Sequence, residues 1–187
     1  MSEPKEDIAL PFIEGDIISL CAMNLDRISL YVAWMNNPKI RKYAGYNMPQ
    51  TIEDVKKKFE PKKEAVKEEI FFEIWQKEDK KPIGYGGFLW IEWFTRNAYM
   101  FYLIDPDYWG QYIGTEAGKL IIEYGFKELN LHKITTRLYA PNKASLRVAE
   151  KIGLTHEITL QKEVYIDGKH IDALEYSIFK EDFVKSQ

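Results

Sequence analysis

Residues 108–117 read Tyr-Trp-Gly-Gln-Tyr-Ile-Gly-Thr-Glu-Ala, "YWGQYIGTEA". They follow an extended apolar run, "AYMFYLI" at 98–104, and open a helical pattern. A plain turn needs only one residue that tolerates positive φ. Here Gly110 and Gly114 stand four apart beside a tryptophan and two tyrosines. That crowding implies that something approaches the backbone. The first amides of a helix have no internal partner, and the helix dipole puts partial positive charge there. A turn that bends further amides inward makes a nest for an anion. Two known phosphate patterns fit poorly. The P-loop needs a lysine after its last glycine, and Gly114 is followed by Thr115. The dinucleotide fingerprint needs G-x-G-x-x-G in a parallel βαβ unit. A tight strand-to-helix turn without a ligand is the bland alternative.

The flanks give the junction its setting. Asp16–Met23 reads as a strand, and Leu25–Met35 as a helix capped by Asn24 and stopped by the "NNP" ahead of Pro38. Lys39–Pro49 is a loop or short helix carrying Tyr43 and Tyr46, and Thr51 caps a charged helix, "IEDVKKKFE". The lysines at 56–58, 62 and 63 alternate with acids and read as a solvated face. Ile70–Gln76, Ile83–Phe94 and Ala98–Ile104 form an antiparallel meander, with Gly84, Gly86 and Gly87 hinting at a bulge. The order then changes: helix Thr115–Leu129, strand Lys133–Tyr139, helix Asn142–Lys151 ended by Gly153, and a closing hairpin from "ITLQKEVYI" and "IDALEYSIF" around Asp167-Gly168. Residues 1–14 read as a loose leader and 15–187 as one domain.

Composition narrows the function. The 187 residues are 45% hydrophobic with five Trp, enough for one full core. A formal net charge of -3 argues against a general nucleic-acid binder or a membrane-surface protein. Cys21 is the single cysteine, so neither an internal disulfide nor a cysteine-based metal site is expected, in keeping with a reducing cytoplasm. The N-terminus lacks a secretory pattern. His132, His156 and His170 have no ligand spacing, and no metal is expected.

At this point the sequence resembles the GNAT superfamily of N-acetyltransferases, most closely the branch that acetylates ribosomal-protein N-termini and its spermidine acetyltransferase relatives. That branch often reads W-G-x-G-[YI]-[AG]-T-E-A at its acetyl-CoA pyrophosphate loop; Trp109, Gly110, Ile113, Gly114, Thr115, Glu116 and Ala117 match. His132-Lys133-Ile134, Asn142-x-x-Ser145 and Glu150-Lys151-Ile152-Gly153-Leu154 resemble its strand, its N-x-x-S helix start and its E-K-x-G-F ending. The resemblance spans nearly the whole chain in order. It implies a mixed α/β fold, with a mostly antiparallel twisted sheet of about seven strands, helices on both faces, and a splay between the fourth and fifth strands. It implies acetyl-CoA as cosubstrate, direct attack of a primary amine on the thioester, and a small-molecule or protein N-terminal amine as acceptor. A homodimer is compatible with it.

The resemblance also assigns residues. Gly110, Gln111, Tyr112, Ile113, Gly114 and Thr115 are expected at the pyrophosphate, Tyr102, Leu103 and Ile104 along the pantetheine arm, and Asn142 and Ser145 beside the CoA arm. Ser145 is also a candidate proton donor to the leaving sulfur; capping alone is the plainer reading. Glu92, among aromatics, is a candidate base, with solvent exposure as the alternative. Tyr99 stands where the family often has an acid. Tyr43, Tyr46, Trp90 and Trp93 are candidates for the acceptor's entrance, and core packing is the plainer role. Three departures weigh the other way. Tyr112 replaces the loop's central glycine, and the expected accommodation is a shifted loop with negative φ at Tyr112, its ring outward and its amide free. Ala149 stands where some relatives carry a catalytic tyrosine, and the acid before the loop is missing. These departures motivate two rivals, a catalytically weak acyl-CoA-binding module and a nucleotide-binding protein using the same loop.

Overall fold

The computed structural model describes residues 10–60 and 66–185; Lys62, Lys63 and the first nine residues of the expected leader lie outside them. Eight strands form one sheet: β1 (Pro11–Glu14), β2 (Ile18–Ala22), β3 (Ile70–Gln76), β4 (Lys81–Glu92), β5 (Asn97–Ile104), β6 (Lys133–Tyr139), β7 (Thr155–Ile166) and β8 (Lys169–Phe179). Their order is β1-β2-β3-β4-β5-β6-β8-β7, antiparallel throughout except between β5 and β6. The strand beyond the expected seven is Pro11–Glu14, which was read as leader. It pairs with β2, and Phe12 stacks on Phe72 with ring centroids 5.7 Å apart. Four residues between prolines and charges carry too little alternation to announce a strand.

Local chemistry sets the helices. Asn24 caps a 3-10 turn, Leu25–Arg27, which leads into α1 (Ile28–Asn36). Asn37 then caps α2 (Pro38–Ala44), with Pro38 in its first turn and Gly45 closing it at φ 75. Thr51 and Asp54 form a full capping box for α3 (Ile52–Phe59). Then follow α4 (Ile113–Lys127), α5 (Lys143–Lys151) and a short α6 (Lys180–Lys185). In the closing hairpin Asp167 and Gly168 both have positive φ, 50 and 79, the twist that a two-residue turn requires.

The helices divide between the two faces. One core joins Ile113, Ala117, Ile121 and Phe126 of α4, and Leu146 and Ala149 of α5, to Ala98, Met100 and Ile104 of β5. The other joins Tyr31, Trp34, Met35, Ile40 and Val55 from α1–α3 to Tyr85 and Leu103. Strand β5 therefore sends even-numbered side chains to α4 and odd-numbered ones to α1–α3.

The α1 side is pinned by a buried carboxylate. Glu73 on β3 is 0% exposed. It accepts from Arg27 Nε at 2.9 Å and Nη2 at 2.6 Å, from Trp75 Nε1 at 2.8 Å, and from the Tyr31 hydroxyl. Removing one partner of such a pair strands the other charge, at a cost of about 3–5 kcal/mol. Glu73→Ala is expected to lose stability of that order in chemical denaturation; an unchanged unfolding midpoint would contradict the assignment.

Candidate active site

The site begins where the sheet comes apart. β5 and β6 pair only at Asn97↔Lys133, Ala98↔Ile134 and Tyr99↔Thr135, although both strands run on. Two hydrogen bonds fix which way the freed backbone points. Arg96 O, on the β6 side, accepts from His132 N at 2.7 Å, and Asp105 N donates to Ile83 O of β4 at 2.7 Å. Since successive residues alternate, Met100, Tyr102 and Ile104 turn their backbone groups away from β4; the Met100 amide still points to Thr135 in the last pair with β6, and the groups of Tyr102 and Ile104 face the opening. Those of Leu103 face β4, so Leu103, expected along the pantetheine arm, offers only its side chain, to the α1–α3 core. Ile104 is partly committed as well, because its carbonyl accepts from Trp109 Nε1 at 2.8 Å. Trp109 thereby ties the loop to the strand end, with half its surface exposed.

The loop then turns its amides out. Trp109 N bonds Pro106 O, and Thr115 N and Glu116 N both bond Tyr112 O. Between them the amides of Gly110, Gln111, Tyr112, Ile113 and Gly114 have no hydrogen-bond partner among the described residues. The nest is five amides long and stops before Thr115, whose amide was expected in it. Gly110 has φ 80, with nothing within 4 Å of where a Cβ would be. Tyr112 has φ 62, which corrects the expected negative angle. A non-glycine residue held there costs about 1–3 kcal/mol. The angle is what turns the ring outward, 71% exposed, and it keeps the amide pointed with its neighbours. Lys151, at the end of α5, places its ammonium 5.3 Å from the centroid of that ring. Five free amides, a helix N-terminus and a lysine fit a pyrophosphate.

The other conserved-looking letters of the loop are structural. Tyr102 donates its hydroxyl to Gly114 O at 2.9 Å, and a Cβ on Gly114 would touch Tyr102 and Ile104 at 3.8 Å. At Gly118 a Cβ would lie 2.6 Å from Ile152 Cδ1. The contact at Gly114 is an ordinary one that a side chain could make; Gly118, four residues on along the same helix face, is what lets Tyr102 and the end of α5 pack against α4, and the spacing was the available signal for it. Glu116 accepts from Ile17 N at 3.0 Å and so holds the β1–β2 turn to α4.

Asn142 caps α5 just beyond β6, accepting from Ser145 N at 3.3 Å. The Ser145 hydroxyl and the Asn142 side-chain amide have no partner among the described residues. Glu92 pairs with Asn97, before the divergence. Its carboxylate is exposed and accepts from Phe94 N at 3.0 Å, as a turn residue does. Trp93 donates to Lys67 O, and Trp90, at a bulge with φ 48, meets Tyr99 edge-on. Tyr43 stands beside Lys42, which pairs with Asp167 across to the β7–β8 turn. Tyr46 lies against Phe101 of β5, with centroids 6.4 Å apart.

Tyr99, at the point of divergence on the α1–α3 face, belongs to a cluster that sequence reading missed. Its hydroxyl donates to Glu175 Oε1 at 3.0 Å, and Arg137 donates to the same oxygen from Nε at 3.1 Å and Nη2 at 2.7 Å. Glu175 Oε2 has no hydrogen-bond partner among the described residues. Burial first, and then the bond to Glu175, raises the Tyr99 pKa, so Tyr99 stays protonated at neutral pH. The only sequence signal was a charged residue inside each of two apolar strands. Cys21 takes no part: it is buried on β2, and burial pushes its thiol up to about 11.

Residues 20–155 match the acetyltransferase (GNAT) domain. The chain belongs to the GNAT acetyltransferase family. Among curated relatives, an uncharacterized N-acetyltransferase of Bacillus subtilis, YoaA, is 27% identical over 172 residues, covering 91% of this chain and 97% of its own. The spermidine N(1)-acetyltransferase of Escherichia coli K12 is 32% identical over 89 residues, about half of each chain (48%). The crystal structure of spermidine N-acetyltransferase from Vibrio cholerae, in complex with CoA and spermine, superposes with a TM-score of 0.80 at 20% identity, over 91% of this chain and 99% of that one. The GNAT chain described here is an N-acetyltransferase with acetyl-CoA as its cosubstrate. None of its described helices is long and apolar enough to cross a membrane.

The loop geometry gives a contrast. Tyr112→Gly relieves strain and leaves all five amides in place, so CoA affinity by calorimetry is expected within about threefold of wild type. Lys151→Ala removes a charge near the nest and is expected to weaken CoA by about three- to tenfold, less so at high salt. A large gain in affinity for Tyr112→Gly would show that the ring obstructs the nest.

Proposed function

We propose that acetyl transfer takes place at the divergence of β5 and β6, with donor and acceptor arriving from opposite faces of the sheet. On the α4 side, the amides of residues 110–114 hold the pyrophosphate, and the backbone of Tyr102, beyond the last pair with β6, holds the pantetheine arm. On the α1–α3 side, a primary amine reaches the thioester past Tyr46, Phe101 and Tyr99. The observation that carries this reading is that β5 loses β6 after Tyr99 and ends at a loop whose amides at residues 110–114 have no hydrogen-bond partner among the described residues. The enzyme works in the cytoplasm on this reading.

Amine attack forms the C–N bond and breaks the C–S bond; one proton must leave the amine, and the sulfur must gain one. Glu175 is the group placed to take the first. Its Oε1 is held by Tyr99 and Arg137 while Oε2 stays open, and a carboxylate there also attracts the acceptor's ammonium form. Tyr99 and Arg137 are positioning residues for it. Ser145, its hydroxyl free at the start of α5, is placed to supply the proton to sulfur. Positioning supplies much of the rate in such a reaction, so neither group need be a strong acid or base.

Glu175→Gln is expected to lower kcat by about 100- to 10,000-fold with CoA affinity unchanged. Tyr99→Phe should fall between that variant and wild type. Glu92→Gln should match wild type in a free-thiol release assay. Full activity of Glu175→Gln would remove it from the mechanism, and CoA binding without transfer to any amine would favour the binding-module reading.

A further inference from the structure

The lysine run on α3 divides in two. Lys56 and Lys57 pair with Glu60 at 3.6 Å and Glu53 at 2.9 Å on the exposed side, as a solvated face should. Lys58 turns inward instead. Its ammonium lies 5.5 Å from the ring centroid of Tyr46 and 5.7 Å from those of Phe59 and Phe71. Among the described residues it has no hydrogen-bond or ion-pair partner. Burial lowers its pKa, opposed by the more distant charge of Glu69. A lysine ammonium is rarely withdrawn from water without an acceptor. Here, with the side chain half-buried, aromatic faces alone receive it among the described residues.

These rings lead to the transfer site. Phe71 pairs with Gly87 across β3 and β4, and Gly87 pairs with Phe101 across β4 and β5. At this level two rings flank a position without a side chain. Tyr85, two residues back along β4, closes the end, within 5.4 Å of Phe59 and 6.1 Å of Phe101. Phe101 in turn adjoins Tyr102, whose backbone faces the opening. An ammonium surrounded by rings is the arrangement by which proteins hold organic cations.

We propose that this aromatic cluster is a seat for a cationic group of the acceptor, an alkylammonium at some distance from the reacting amine, and that Lys58 occupies it until the acceptor displaces it. The placement on the acceptor's path rests on the function proposed above; the seat itself does not. On displacement Lys58 returns to water at the edge of α3 and regains its hydration, so exchange replaces one cation by another on the same rings.

The test uses tetramethylammonium, which cannot be acetylated, titrated into wild type, Lys58→Ala, Lys58→Arg and the double variant Lys58→Ala/Phe71→Leu, each checked for folding by thermal melt. Lys58→Ala is expected to bind it about 5- to 30-fold more tightly than wild type. Lys58→Arg, still filling the seat, should resemble wild type, and the double variant should lose the gain. Equal affinity in wild type and folded Lys58→Ala would overturn the proposal. In the kinetic arm, Lys58→Ala should lower KM for an acceptor with a second ammonium and leave KM for a simple alkylamine unchanged; no difference between the two acceptors would likewise overturn it. Transfer to no amine at all would count against the proposed function, while the tetramethylammonium titration would still decide on the seat.

Discussion

Strand β5 leaves β6 after three residue pairs, and the rest of the site answers to that divergence. Buried backbone groups need partners, yet beyond Tyr99↔Thr135 strand β6 supplies none to β5. β5 cannot turn back to recover them, because it is held too closely on its other side. A Cβ on Gly86 would lie 2.1 Å from Tyr102 Cβ, and one on Gly84 would lie 2.2 Å from Leu103 O. The glycines of β4, read in the sequence as a bulge, are instead what draws β5 onto β4. The bulges fall to either side of them, near Ile83 and at Trp90–Ile91. With β5 fixed, the Tyr102–Gly114 and Trp109–Ile104 bonds set the start of α4 at the mouth of the opening.

The two faces then carry different chemistry. The α4 face offers amides, a helix terminus and Lys151, and it suits an anion. The α1–α3 face offers Glu175 and a lining of rings, and it suits an amine that arrives as an ammonium ion. A chain with a formal net charge of only -3 needs no overall bias to do this, since the charges that matter are local.

Much of the fold was legible because its signals are short-range. Asn24, Thr51 and Asn142 cap the helices that follow them, β3 and β6 begin and end where their apolar runs do, and Gly153 turns at φ 91 after α5. The glycine turn that leaves the loop amides without partners was legible for the same reason. The face proposed for catalysis was not, because it is made by register. Glu175 meets Tyr99 only through β8 pairing with β6 and β6 with β5, whereas Glu92, apolar in its sequence neighbours, ends in a solvent-exposed turn. The angle at Tyr112 escaped because tyrosine carries no local preference for positive φ; surrounding structure imposes it. Lys58 escaped because a run of lysines looks alike in sequence, and helical phase together with Phe71 and Tyr46 singles one out.

The central claim is that one ligand spans the free edge of β5 and the amides of the loop. Amide hydrogen exchange with and without CoA reads this directly, residue by residue. The account predicts that CoA slows exchange at Gly110, Gln111, Tyr112, Ile113 and Gly114, and at Tyr102, while Leu103, already bonded toward β4, changes little. Protection confined to other segments, with residues 110–114 exchanging as freely as before, would contradict it.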